Sequence, residues 1–260
     1  MVSVVVSVKN EIKHLPKFFA SVLCDSNVSE VVITDDFSVD GSKEYIADVA
    51  RGTAKVCFVE SFESPSLNHR LLKLMHRTRS NLIHLRTPHD FYAPDFYAFH
   101  KRRLAKNQNL RSSFNYVTLR SRKFNFMVPI DFSTKFSHLN SLLFNLNLSS
   151  CGFIADKKTL IELWCRYEKF GPYCDWLVKK DLSHNYPWVF STRCLSTYND
   201  EVKSSLFLTE ANFEYLSKVR DECHARFWLE NPKRRLVDPK FSLDFFLKVA
   251  KQRSILWKVV

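Results

Sequence analysis

Residues 3–42 read SVVVSVKNEIKHLPKFFASVLCDSNVSEVVITDDFSVDGS. The run VSVVVSV at 2–8 is nearly all β-branched, as a strand buried on both faces of a parallel sheet must be. Asn10 and Glu11 then open a helix that carries Leu15, Phe18, Phe19 and Val22 on one face, with Pro16 tolerated in its first turns. Val31–Thr34 is a second strand, and Asp35–Ser42 is a turn leading into a helix around Lys43–Ala50. Strand, helix, strand, carboxylate pair: that order predicts βαβ units and an α/β fold.

The rhythm continues outward from there. Lys55–Val59 reads as a third strand, Leu67–Thr78 as a third helix and Leu82–Leu85 as a fourth strand. Beyond residue 90 the pattern changes. Pro94–Leu104 reads as helical, and Phe114–Leu119 with Phe124–Val128 form an antiparallel hairpin around the basic turn Arg120–Lys123. Ser149–Ile154 is a strand, Asp156 the N-cap of a helix to about Phe170, and Trp188–Ser191 a late strand. Helices are expected over 201–229 and 241–260.

A chain of 260 residues, 45% hydrophobic and 14% aromatic, has ample material for one α/β domain with a small C-terminal appendage. Four glycines are too few for a Gly-rich phosphate loop, so phosphate must be met by side chains, metal or helix ends. A net charge of +12 favours anionic partners, but no nucleic-acid recognition motif accompanies it, so nucleic acid is not an expected partner. Seven cysteines at 24, 57, 151, 165, 174, 194 and 223 show no C-x-x-C or zinc spacing, which suits reduced thiols in a cytoplasmic protein. No stretch approaches the ~20 apolar residues of a membrane-spanning helix. The expectation is a soluble protein, or one peripheral to a membrane.

In a parallel α/β sheet, ligands bind at the carboxyl ends of the strands. Three polar clusters fall there: Lys9–Glu11, Asp35–Asp36 and Thr87–Asp90. An ionised carboxylate is a two-oxygen acceptor suited to a base or ribose. Asp35 and Asp36 are read as functional, and Asp40 as a residue that shapes the turn.

VSVVVSVKNEIKHLPKFFASV followed by VVITDDFSVDGSKEYI resembles the start of the GT-A fold in the inverting family 2 glycosyltransferases. That family has a valine-rich strand, an Asn-Glu turn, and a second strand ending D-D-x-S-x-D-G-[ST]. The resemblance implies a Rossmann-like, mixed, mainly parallel sheet flanked by helices, with C-terminal helices. It implies a GT-A domain over 1–200, divided into a nucleotide-binding half (1–98) and an acceptor half (99–200), with 201–260 as a helical extension. It further implies that Ser7, Lys9, Glu11, Asp35 and Asp36 surround the nucleotide of a UDP- or GDP-linked sugar donor. Asn68–Arg70 begins a helix that often adds a donor contact, here Arg70.

Departures from the family pattern follow. Its D-x-D-D motif, whose outer carboxylates hold Mn²⁺ or Mg²⁺, is replaced by Thr87-Pro88-His89-Asp90, with Pro94 at the expected distance. Hard cations prefer oxygen ligands. The readings are a weakened Mn²⁺ or Mg²⁺ site at His89 and Asp90, metal-independent stabilisation of the leaving diphosphate by Lys or Arg, or lost activity. On the acceptor side, Gly171-Pro-Tyr-Cys-Asp-Trp matches the family's Glu-Asp pair, with Asp175 as general base and Cys174 in the usual Glu position. The alternative for Asp175 is a helix N-terminal aspartate. Tyr173 and Trp176 suit either a sugar platform or the core, and Cys151-Gly152-Phe153 aligns with the strand lining the acceptor site. Where the family often has a histidine near 193–198, Arg193 is the phosphate-facing candidate.

Residues 240–260 carry five basic residues against Asp244 and form either an interfacial helix near a lipid-linked acceptor or an amphipathic helix packed on the sheet. The function expected is transfer of a sugar to a glycan or lipid-linked acceptor with inversion. The alternative is a noncatalytic nucleotide- or glycan-binding domain derived from such an enzyme.

Overall fold

The computed structural model describes residues 1–60, 66–120, 125–126 and 152–199. The strands are β1 Val2–Val8, β2 Val28–Asp35, β3 Val56–Phe58, β4 Leu82–Leu85, β5 Phe91–Tyr92, β6 Ser112–Arg120, β7 Asn125–Phe126, β8 Phe153–Asp156 and β9 Trp188–Asn199. The helices are α1 Leu15–Leu23, α2 Ser42–Gly52, α3 Leu67–Arg77, α4 Phe96–Ala105, α5 Lys157–Tyr167 and α6 Cys174–Asn185, with a 3₁₀ turn Glu168–Tyr173 before α6. The helices expected over 201–229 and 241–260, and the basic segment 240–260, lie outside the described residues.

Among the described residues the strands form one sheet in the order β3-β2-β1-β4-β8-β6-β9-β5, with β7 beside β6. The sheet is mixed and mainly parallel. The β1–β2, β1–β4, β2–β3 and β6–β9 pairs are parallel, and β8 is inserted antiparallel between β4 and β6. Strand β1 explains its own composition. Val2, Val4, Val6 and Val8 pack with α1, α2 and α4 on one face, while Val5 packs towards α3, α5 and α6 on the other. A strand covered on both sides has no solvent face to mark with polar residues.

The chain steps from β1 through β2 to the edge strand β3, then returns past β1 to β4. Helices α1 and α2 serve the outward steps on one face; α3 serves the return on the opposite face. The strand order therefore reverses between β1 and β4, and the crevice at the carboxyl ends of those two strands is the topological switch point.

Three sequence expectations are corrected. Helix α1 begins at Leu15, not at Asn10. The amides of Asn10, Glu11 and Ile12 are taken by Ser38 Oγ (2.8 Å), Ser42 Oγ (3.0 Å) and Asp40 Oδ2 (3.0 Å), so this segment is latched to the β2–α2 loop instead of coiling. Strand β9 runs eight residues beyond Ser191 because β6 and β5 supply partners along it. The strand expected at 149–154 is described from Phe153 and extends to Asp156, whose side chain caps α5 by accepting from Thr159 N at 3.0 Å. No helix among the described residues is long and apolar enough to cross a membrane.

Candidate active site

The switch point is closed by one bond. Glu11 follows β1, His89 follows β4, and His89 Nδ1 lies 2.7 Å from Glu11 Oε1, both side chains being buried. Burial works to discharge His89, but the Glu11 bond and the charges of Glu11 and Asp90 outweigh it and hold the imidazole above its ordinary pKa. The second oxygen, Glu11 Oε2, is buried with no hydrogen-bond partner among the described residues. A buried acceptor left open in this way is suited to a donor brought by a ligand. His14 stands edge-on to His89, with ring centroids 6.1 Å apart.

One strand over, Asp36 collects cations. Arg70 Nη2 of α3 donates to Asp36 Oδ2 at 2.7 Å, and Lys9 Nζ is 3.8 Å from the same oxygen. Arg70 is buried, whereas Lys9 is 62% exposed and able to turn towards an anion. Ser7 sits within β1 in register with Thr34, half-buried. Asp35 is 1% exposed and accepts from Ser38 N at 2.8 Å, so its described bond braces the turn. Asp40 shapes that turn as expected, accepting from Ser42 Oγ, Ser42 N and Ile12 N.

Thr87 and Asp90 turn inward. Thr87 Oγ1 donates to Asp90 Oδ2, and Asn199 N donates to Asp90 Oδ1 at 3.0 Å. Burial raises the Asp90 carboxyl above its usual value, more than those bonds and the charges of His89 and Arg86 lower it. As placed, these donors do not fit a divalent cation. Both Asp90 oxygens and His89 Nδ1 are engaged by the protein, and no group of three His, Cys, Asp or Glu side chains is set to hold a metal among the described residues.

Asp175 lies in the first turn of α6, 37% exposed, with Lys179 Nζ 3.0 Å from its Oδ2. Lys179 is buried, so its charge is committed to this neighbourhood. Cys174 is fully buried, and burial, together with the charges of Asp175 and Glu168, pushes its thiol far up. A neutral group therefore occupies the usual Glu position. Arg193 is not brought to the Asp90 cluster. Its Nη2 bonds Asp95 Oδ2 at 2.8 Å and its guanidinium covers Phe99 at 5.1 Å. Six residues of β9, roughly 20 Å at the usual strand rise, separate it from Asn199, the residue that bonds Asp90.

The structure thus unites Lys9, Asp36 and Arg70 as one cluster and Glu11, His89 and Asp90 as another, and leaves Arg193 apart. Sequence reading missed Lys179 and His14, and named Asn68 only as part of the segment that opens α3. Only the i,i+4 spacing of Asp175 and Lys179 carried a signal.

A carboxylate–arginine–lysine cluster thus flanks the switch point of a mixed sheet wound in the order β3-β2-β1-β4. Residues 3–96 match the family described as Glycosyl transferase family 2, and the fold over the described residues is of the GT-A type. Among solved structures, it is similar to S. aureus TarS 1-349 in complex with UDP-GlcNAc, at 13% identity and a TM-score of 0.63, covering 84% of this chain and 65% of that one. It is also similar to the same protein in complex with UDP, at 15% identity and a TM-score of 0.58, covering 76% and 60%. The chain thus spans less than two thirds of those structures. Curated protein sequences return no match.

Proposed function

We propose that this chain transfers a sugar from a UDP- or GDP-linked donor to a glycan or lipid-linked acceptor, with inversion at the anomeric carbon. The observation that carries this reading is the Lys9–Asp36–Arg70 cluster beside the switch point. Solved structures of the same fold that hold UDP and UDP-GlcNAc support it. Glu11 Oε2 would accept from the nucleoside. Lys9 and Arg70 would face the diphosphate, with His89 adding charge when protonated. Asp175 would take the proton from the acceptor hydroxyl as that oxygen attacks and the nucleoside diphosphate leaves. Lys9, Arg70 and His89 would together stabilise the departing negative charge, which makes metal-independent transfer the reading that this donor set favours.

The test is a panel of sugar nucleotides followed by donor turnover and thermal stabilisation, with Mn²⁺, with Mg²⁺ and with chelator. Stabilisation by UDP or GDP and turnover of one donor are expected, with little loss on chelation. Arg70→Met should reduce nucleotide affinity by about ten-fold or more, the scale of a charge-assisted bond. Turnover that persists in Asp175→Asn removes the base assignment, and turnover abolished by chelator removes the metal-independent reading. The second reading is a noncatalytic nucleotide-binding domain, favoured by the inward bonds of Asp90. Nucleotide stabilisation without turnover of any donor, acceptors included, would establish it.

A further inference from the structure

The first turn of α3 touches both sides of the proposed site. Asn68 is buried, and its Nδ2 donates to Gly171 O at 2.5 Å and, at longer range, to Glu168 O at 3.4 Å. Its own carbonyl accepts from Trp164 Nε1 at 3.0 Å, and that indole is almost wholly buried in α5. Two residues further along α3, Arg70 reaches Asp36. Residues two apart on a helix point to nearly opposite sides, so one turn grips the 3₁₀ segment with Asn68 and the Asp36 carboxylate with Arg70.

The atom that Asn68 holds is also the atom from which α6 starts. Gly171 O accepts the backbone N–H of Cys174 as well as the Asn68 amide. Gly171 has φ 56° and ψ −129°, a backbone state open in practice to glycine alone. Nothing would crowd a Cβ there, so the requirement is one of backbone conformation and not of space. A kink that only glycine adopts, pinned through its carbonyl by one side chain, sets the direction in which Asp175 is presented four residues later.

We propose that Asn68 is a positioning residue that couples nucleotide occupancy at Arg70 and Asp36 to the placement of Asp175. This rests on the reading above that Arg70 meets the donor and Asp175 is the base. A nucleotide that draws on Arg70 pulls on the first turn of α3, and Asn68 passes the displacement to Gly171 and the start of α6. Helix α3 also packs directly on β1, β2 and α5, so it moves as a unit and not residue by residue.

The experiment is hydrogen exchange on the full chain with and without UDP, joined to nucleotide affinity and turnover for Asn68→Asp and Asn68→Ala. In the unaltered chain UDP should slow exchange of the amides over 171–176. In the variants UDP affinity should stay within about two-fold, while kcat falls by about ten-fold, the scale of a typical coupling between sites, and the UDP-induced protection at 171–176 disappears. Unchanged kcat in folded variants overturns the proposal. So does an unaltered chain that binds UDP without any change at 171–176, and that result stands even if the variants do not fold. A chain that binds no nucleoside diphosphate overturns the parent reading, and the coupling with it.

Discussion

Phe37 and Asn10 both have left-handed backbones, with φ of 53° and 55°, but at different cost. Asparagine tolerates that region; a bulky aromatic is strained there by about 1–3 kcal/mol. Phe37 is also 65% exposed, so its ring recovers little by burial. Phe37→Gly should therefore raise stability, by about 1 kcal/mol after the added freedom of glycine in the unfolded chain is subtracted, and urea unfolding reads it directly. His100 gives a pH prediction. It is enclosed by Ser113 Oγ at 2.8 Å and Asn115 Oδ1 at 3.1 Å, and burial lowers its pKa to about 4. A folded value below the unfolded one contributes stability at higher pH that is lost as pH falls from about 6.5 towards 4. The loss over that window is on the order of 3 kcal/mol, and His100→Gln should flatten it in denaturant titrations at stepped pH. His89 acts in the opposite sense: its raised pKa contributes stability below about 6.5 that fades as pH rises through the folded value. At this scale the sequence made Asp36, Arg70 and Lys9 legible, because each sits at a predictable strand or helix end. It could not pair Glu11 with His89 across 78 residues, nor show that Asp90 is satisfied from Asn199. Those partners are set by which strands become neighbours.

Helix α1 illustrates what decides an element's limits. Its C-terminus is held from outside, by Lys55 Nζ donating to Val22 O (3.0 Å), Leu23 O (2.9 Å) and Asp25 O (2.8 Å). An ammonium in this position satisfies carbonyls that have no intrahelical donor and opposes the negative end of the helix dipole. Lys55→Met should cost about 1–2 kcal/mol and speed hydrogen exchange at the end of α1, while its first turn is unaffected. The apolar face of α1, its Pro16 and the valines of β1 were all readable, because periodicity reports burial. The start of α1 was not, since three side chains from a loop about 28 residues away capture the amides that would have begun it. Strand β5, two residues long, left no period to read.

For the molecule as a whole, the alternation of strands and helices up to Leu85 foretold the parallel half and the gathering of polar residues at its carboxyl edge. The other half was legible only in pieces. The β6–β7 hairpin was visible as a basic turn between alternating runs, but the insertion of β8 antiparallel beside β4 was not. Strand direction depends on the path of the chain between elements, and short apolar runs do not record it. The proposed nucleotide binding belongs to this scale too. A ligand held by residues following β1, β2 and β4 ties three strands together, so saturating UDP at 100 times Kd should stabilise the fold by about 2.7 kcal/mol, seen as a rise in Tm that tracks nucleotide concentration.

The placement of β8 and β9 carries a consequence for how this chain acquires its shape. Strands β1 to β4 pair among near neighbours along the chain, whereas β6 waits for β9, Ser112 meeting Trp188. Closing a loop of that length is entropically slower than joining consecutive βαβ units. As the polypeptide leaves the ribosome, the carboxyl edge that gathers Lys9, Asp36 and Arg70 can assemble before the segment bearing Asp175 has been made. Pulse-labelled refolding should find the amides of β1, β2 and β4 protected ahead of those in β6 and β9. The nucleotide proposed above would then meet a molecule only half built.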